Sequence, residues 1–160
     1  SGEQHPWVAI LGCADSRVPP EILFDLGLGD AFTVRVAGNV ASADQIASLE
    51  FAVDILDVPL IVILGHSGCG AVEAALSGTA TPGSLPALLE QVVPGSGESG
   101  PDEAVAANVA HQLKVLVEDS PVIRHAIDEG RTGVAGAIED LSTGTLRLLD
   151  GHPPPEPFDG

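Results

Sequence analysis

The fold class of this chain is decided by a short apolar stretch, PLIVILGH, at residues 59–66. Its central residues, 60–64, are all aliphatic, and they are bounded by Pro59 and Gly65. A continuous aliphatic run of this length is typical of a strand that is buried on both faces of a parallel sheet. The sequence therefore predicts a strand over residues 60–64, with His66 just beyond its end.

Strand and helix patterns alternate on both sides of this stretch. The other predicted strands cover residues 7–12, 31–36, 133–140 and 145–149, the last two as a closing hairpin. The predicted helices cover residues 20–26, 43–56, 71–76 and 102–118, with a shorter helix between Ser120-Pro121 and Gly130. Such alternation predicts an α/β fold: a mostly parallel sheet flanked by helices, with an antiparallel edge strand.

The helix over residues 43–56 shows both a start signal and a buried face. Ser42 and Gln45 have the spacing of a capping box, in which the two side chains bond to backbone N–H groups at the helix start. Ile46 and Leu49 then begin an apolar stripe with helical spacing. The pattern predicts a helix that packs one face against the sheet.

Length and composition favour one globular domain. The chain has 160 residues, of which 44% are hydrophobic, and this size suits a single core. We expect one zinc-binding catalytic domain over residues 1–152 and a loose C-terminal tail over residues 153–160. No apolar run is long enough to cross a bilayer, which predicts no membrane insertion. The first residues lack the pattern of a secretion signal, so we expect a cytoplasmic protein.

The chain is strongly acidic. Its formal net charge is -17, and it contains only six lysines and arginines together. Such a field repels phosphate backbones, so the sequence predicts no nucleic-acid partner. A high-salt cytoplasm and a lysine-poor composition explain the acidity equally well.

Three candidate metal ligands fall at one edge of the predicted sheet. Cys13 follows the first strand and His66 follows the third, and ligands of parallel α/β folds bind beyond the carboxyl ends of the strands. Cys69 lies within one turn of His66. Two thiolates and one imidazole are a ligand set of catalytic zinc, which leaves a fourth position for water. Taken singly, a cysteine that ends a buried strand is usually a small core residue. The two cysteines could form one disulfide, but metal binding or catalysis is favoured in a protein expected to be cytosolic.

Longer motifs around these residues carry a resemblance to a known family. The motifs are CADSRVP at residues 13–19, RVAGN at 35–39 and GHSGCG at 65–70. Together they resemble the β-class carbonic anhydrases. The segments EFAV at 50–53 and GAIED at 136–140 are also similar to that family, so the resemblance covers nearly the whole chain.

The resemblance implies an activity and a role for each motif residue. It implies the reversible hydration of carbon dioxide to bicarbonate and a proton, with Zn²⁺ held by Cys13, His66 and Cys69. Zinc-bound hydroxide is the expected nucleophile. Arg17 is expected to pair with Asp15 and to hold this carboxylate as the acceptor that orients the hydroxide.

The resemblance also implies a substrate pocket and a partner. Gln4, Phe32 and Phe51 match pocket residues of the family, although Phe51 stands where tyrosine is usual. Gly70 begins a helix whose free N–H groups suit an anionic product, and a packing role explains this glycine equally well. In the family the pocket is completed across a dimer interface, so we expect a homodimer or a higher homo-oligomer.

Asp15 has a second role in part of the family. In some members this carboxylate binds the metal as a fourth ligand and excludes water, which inactivates the site. Those members carry tryptophan three residues before the cysteine, where this chain has Ile10. Arg35 is common to both subgroups. We therefore expect an open site at neutral pH.

Three other functions compete with this interpretation: hydrolysis of another substrate, a structural zinc module and phosphoryl transfer. Relatives that hydrolyse carbon disulfide or carbonyl sulfide keep the same zinc ligands, so the ligand set does not separate them. A structural zinc module would leave the Asp15–Arg17 pair without a purpose. Cysteine-based phosphoryl transfer is opposed by spacing, because the phosphatase loop needs five residues between cysteine and arginine and only residues 14–16 separate Cys13 from Arg17.

Overall fold

The strands of the described residues form a single five-stranded sheet, in the order β2-β1-β3-β4-β5. The structure is a computed structural model, and it describes residues 2–95 and 100–149. The strands are β1 Val8–Gly12, β2 Ala31–Arg35, β3 Leu60–His66, β4 Gly133–Asp140 and β5 Thr145–Leu148. The first four run parallel, and β5 pairs antiparallel with β4 at one edge. The predicted fold class is confirmed. The predicted tail over residues 153–160 lies outside the described residues.

The helices flank this sheet. They are α1 Pro20–Leu23, α2 Ala43–Asp54, α3 Gly70–Ser77, α4 Leu85–Leu89, α5 Pro101–Asp119 and α6 Pro121–Asp128, and Ala37–Asn39 form a 3-10 turn. The prediction that α1 reaches residue 26 was wrong. The helix ends before Phe24, and Asp25 takes a left-handed backbone conformation with φ 52°. A left-handed residue interrupts the helical hydrogen-bond pattern.

Two further details differ from the sequence prediction. β3 continues to His66 instead of ending at residue 64, because its pairing with β4 extends to the partners His66 and Glu139. Ser42 is the N-cap of α2, but its hydroxyl contacts the Gln45 side chain and not a backbone N–H. In contrast, the predicted N-cap Ser120 accepts a hydrogen bond from the Ile123 N–H at 3.1 Å.

The sheet buries its two faces unequally. On one face the aliphatic residues of β1, β3 and β4 pack against α2, α5 and α6 in the main core. α5 lies so close to β3 that a Cβ atom at Gly65 would stand 2.6 Å from Val109 Cγ2. The second face has a smaller cluster, Val8, Ile10, Leu64 and Ala137, which α1 and the residues after it cover.

The strand register aligns the carboxyl ends of the central strands. Gly12 of β1 lies beside Arg35 of β2 and Leu64 of β3. The loops that follow these strands therefore leave the sheet at the same edge, which is where the candidate ligands lie. Within the described residues, no helix is both long enough and apolar enough to span a bilayer.

Candidate metal centre

Three buried side chains converge at the carboxyl edge of the sheet. Cys13 directly follows β1, His66 is the last residue of β3, and Cys69 is the N-cap of α3. The two sulfur atoms and a ring nitrogen of His66 all lie within 4.8 Å of one another. The residues that the sequence singled out as metal ligands are thus brought together by two neighbouring strands and one helix start.

The ring of His66 is oriented by its own loop. Its Nδ1 lies 3.0 Å from the Ser67 carbonyl oxygen, so Nδ1–H is the donor and Nε2 carries the free lone pair. Nε2 is buried and has no hydrogen-bond partner among the described residues. A buried nitrogen without a partner is costly. A metal ion bound at Nε2 removes that cost, and the Nδ1 contact is the usual support for a metal-binding histidine.

The sulfur atoms of Cys13 and Cys69 interact with each other. A hydrogen bond from Cys69 lowers the pKa of the Cys13 thiol, and His66 and the Gly38 N–H add to this effect. The same sulfur–sulfur contact, together with burial, raises the pKa of Cys69. Because burial and the Cys13 sulfur oppose ionisation of Cys69, the two sulfurs become thiolates together only beside a cation. Two sulfurs and one imidazole nitrogen are a donor set of zinc, and tetrahedral zinc separates such atoms by roughly 3.3–3.8 Å. With their ligand atoms all within 4.8 Å of one another, the three side chains suit this ion in chemistry and in approximate spacing.

Asp15 lies beside the three ligands and is held by Arg17. The guanidinium donates from Nε to Oδ1 at 2.9 Å and from Nη2 to Oδ2 at 2.7 Å, and the Arg17 backbone N–H donates to Oδ1 at 2.9 Å. These hydrogen bonds hold the pKa of the Asp15 carboxyl well below its usual range. Oδ2 also lies 3.8 Å from His66 Nε2. An ionised acceptor therefore stands next to the group that fits zinc.

Arg35 fixes the backbone of the same loop. Its Nε donates to the Cys13 carbonyl oxygen at 2.9 Å and its Nη2 to the Asp15 carbonyl oxygen at 2.5 Å. The sequence motif contained this arginine but did not reveal the contacts, because they depend on how β2 is aligned with β1. Arg35 holds the cysteine and the carboxylate in a fixed relation to each other.

Comparison with known proteins agrees with this geometry. A sequence model of the family described as carbonic anhydrase matches residues 8–146. Carbonic anhydrase 2 of Mycobacterium tuberculosis is 41% identical over 157 residues, which cover 92% of this chain and 76% of that protein. The crystal structure of the β-carbonic anhydrase CafA of Aspergillus fumigatus is 38% identical, with a TM-score of 0.81, covering 92% of this chain and 76% of CafA. This chain belongs to the β-class carbonic anhydrases.

A further β-carbonic anhydrase structure, one of two tetrameric enzymes from Sordaria macrospora, has a TM-score of 0.80. It is 28% identical, and the match covers 94% of this chain and 84% of the other. The similarity therefore extends over the whole sheet and its helices, as the sequence motifs imply.

The residues expected to line the substrate pocket of a β-class enzyme are spread over the molecule. Phe32 on β2 and Phe51 on α2 stack on each other, with ring centroids 6.2 Å apart. The register sets Phe32 beside Ala9, in the first half of β1, whereas Cys13 follows the end of that strand. The aromatic pair thus lies along the β2 edge of the sheet and away from the end of β1 where the chain's own Cys13 lies.

Two other expected pocket residues are exposed. Gln4 lies in the segment before β1, and Gly70 is the first residue of α3. A Cβ atom at Gly70 would meet nothing within 4 Å, so close packing does not explain this glycine.

The sequence reasoning missed Glu139 as a neighbour of the metal centre of this β-class chain. Glu139 on β4 lies opposite His66 in the β3–β4 register. It is buried, its Oε2 has no hydrogen-bond partner among the described residues, and burial raises the pKa of its carboxyl. The available signal was the pair of carboxylates, Glu139 and Asp140, that ends an apolar strand.

Proposed function

We propose that this chain catalyses the reversible hydration of carbon dioxide to bicarbonate and a proton, with Zn²⁺ held by Cys13, His66 and Cys69. The observation that carries the proposal is the convergence of these three ligand atoms within 4.8 Å. Membership of the carbonic anhydrase family makes carbon dioxide hydration the general reaction. The ionised carboxylate beside the ligands distinguishes the group from a purely structural zinc site.

The chain's own residues prepare the reaction. Zinc in this ligand set supplies a nucleophile from water at neutral pH. His66 offers Nε2 to the ion because its Nδ1–H is committed to Ser67. Asp15 would accept a hydrogen bond at Oδ2 from the attacking water or hydroxide, and this bond would orient the attacking oxygen toward carbon dioxide. Arg17 keeps the Asp15 carboxylate ionised and fixes its orientation through two side-chain hydrogen bonds.

Arg17 also supports an open site at neutral pH. To reach the ion as a fourth ligand, Asp15 would have to give up two side-chain hydrogen bonds with Arg17. Ile10 occupies the position where tryptophan accompanies the closed form in part of the family. Both features favour Asp15 as an acceptor beside the metal and not as a ligand of it.

The working molecule is a homodimer or a higher homo-oligomer. Phe51 and Ile55, one helical turn apart at the end of α2, are 46% and 60% exposed, and neighbouring exposed apolar side chains are typical of a surface that a partner covers. Phe32 and Phe51 would line the pocket of the neighbouring subunit, and Gln4 and Gly70 would contact substrate or product. The tetrameric enzymes of Sordaria macrospora support such an assembly. We place the molecule in the cytoplasm, with residues 1–152 as one catalytic domain.

The decisive experiment measures carbon dioxide hydration by stopped flow, with zinc counted on the same sample. We expect one zinc per chain and a hydration rate that rises with pH. Stoichiometric zinc without hydration above about pH 8 would defeat the proposal, since the metal-bound nucleophile forms near neutrality. Carbonyl sulfide and carbon disulfide are offered to the same sample, and turnover of either in place of carbon dioxide would also defeat it.

A further inference from the structure

A buried polar pair lies behind the metal centre, on the face of α5 that packs against the loop after β2. Asn108 and Gln112 are one helical turn apart, and each is 1% exposed. Gln112 accepts from the Ala41 N–H at 2.9 Å and donates to the Gln91 carbonyl oxygen at 2.8 Å. It also donates to Asn108 Oδ1 at 2.9 Å. Such buried networks specify one arrangement when their members are satisfied.

The amide of Asn108 is fixed in direction by backbone partners. Its Oδ1 accepts from the Val93 N–H at 3.1 Å, and its Nδ2 donates to the Gly38 carbonyl oxygen at 2.9 Å. A flipped amide would set oxygen against oxygen at Gly38 and N–H against N–H at Val93. The assignment of the two amide atoms therefore follows from partners whose donor and acceptor roles are invariant.

Gly38 connects this network to the metal centre. Its N–H donates to Cys13 Sγ at 3.4 Å, and its carbonyl oxygen is the one that Asn108 holds. The residue has φ 71°, and a Cβ atom here would stand 2.8 Å from Val92 Cγ2. Only glycine adopts this backbone angle readily and also leaves room for the Val92 side chain. The position of the Gly38 N–H therefore depends on the hydrogen bond that Asn108 makes to the Gly38 carbonyl oxygen.

We propose that Asn108 is a positioning residue for the metal centre: by holding the Gly38 carbonyl, it aims the Gly38 N–H at the sulfur of Cys13. The hydrogen bond orients Sγ and offsets the negative charge of the thiolate before and after zinc binds. This inference rests on the proposed role of Cys13 as a zinc ligand. It assigns Asn108 no contact with substrate.

The test is zinc affinity, measured by competition with a chromophoric chelator and without reference to activity. Loss of an outer partner of a metal ligand costs roughly 10–100-fold in affinity, and we expect Asn108→Ala to bind zinc about 10-fold more weakly. Cobalt loaded into the same variant should show a shifted thiolate charge-transfer band. An unchanged affinity and band would overturn the proposal.

The matched control is Ser120→Ala. Ser120 is fully buried and makes two side-chain hydrogen bonds, to Glu50 and to the Ile123 N–H, but none of them leads to Gly38. We expect this variant to be destabilised yet to bind zinc as the unmodified chain does. An equal loss of zinc affinity in Ser120→Ala and Asn108→Ala would overturn the proposal, because a general loss of stability would then explain both results.

A measurement on the unmodified chain covers the case in which Asn108→Ala does not fold. With ¹¹³Cd in place of zinc, scalar coupling should appear between the metal and the Gly38 amide proton, transmitted through the hydrogen bond to Cys13 Sγ. Absence of coupling in the loaded protein would overturn the inference. An unmodified chain that binds neither metal would instead defeat the proposed function, so the two failures are distinguishable.

Discussion

Asp15 is the residue whose chemistry is most easily separated from its structural role. In Asp15→Asn the side chain keeps its shape but loses its charge, and only one side-chain oxygen remains to accept hydrogen bonds from Arg17. We expect zinc content to be unchanged and kcat/KM to fall by about 100-fold or more, the usual contribution of a positioned proton acceptor. Stopped-flow hydration and zinc analysis on one preparation check both expectations.

Glu129 supplies the control for this variant. It pairs with Arg131, also two residues further along the chain, with Arg131 Nε 2.8 Å from Glu129 Oε2. Glu129→Gln breaks an exposed carboxylate–arginine pair of the same spacing away from the metal centre, so we expect an unchanged rate. If Asp15→Asn retained full activity, the orienting role of Asp15 would be wrong.

At the residue scale, the sequence predicted the contacts within one motif and the meeting of Cys13 and His66 at the ends of their strands, and it missed two contacts that depend on the exact strand register. Cys13, Asp15 and Arg17 are neighbours in the chain, so their proximity follows from a short loop. The contact of Arg35 with the Cys13 loop and the position of Glu139 beside His66 depend on strand register. Register is a property of the folded sheet, which a single sequence pattern does not specify.

The close approach of α5 to the sheet gives a prediction at the scale of elements. In Gly65→Ala the new methyl group would meet Val109 Cγ2 at 2.6 Å and Val105 Cγ1 at 3.1 Å, so α5 would have to shift. Overpacking of this kind costs about 1–3 kcal/mol of unfolding free energy, which urea denaturation measures. Gly70→Ala is the comparison, since a methyl group there meets open space. Equal stability of the two variants would contradict the packing described for α5.

Element boundaries were predictable where a residue acts through its own backbone. Ser120 caps α6 as its sequence position indicates, and Gly130 follows the helix with φ 71°. The capping box at Ser42 was wrong because its hydroxyl contacts the Gln45 side chain. α1 was predicted too long because the left-handed residue that follows its end is Asp25 and not a glycine, so the sequence carries no clear stop signal there. Side-chain competition and tertiary contacts are absent from a local pattern.

At the scale of the whole molecule, we expect the metal to be required for the reaction and not for the chain to stay folded. The main core unites β1, β3 and β4 with helices α2, α3, α5 and α6, and most of its residues lie away from the ligands, of which Cys13 and Cys69 belong to this core where it reaches one edge of the sheet. Chelation should therefore abolish hydration and lower the melting temperature while the far-ultraviolet circular dichroism stays native, and zinc should restore the rate. A chain that unfolds on chelation would be a structural zinc module instead.

The exposed aromatic on α2 gives the sharpest test of assembly. Phe51 is 46% exposed, so Phe51→Lys places its charge in water on an isolated chain but in an apolar interface within a dimer. We expect this variant to stay folded, to sediment as a smaller species and to lose activity in the same proportion. Val122→Lys, at a residue of α6 that is 36% exposed, should change neither property. An active Phe51→Lys monomer would show that each chain builds its pocket alone.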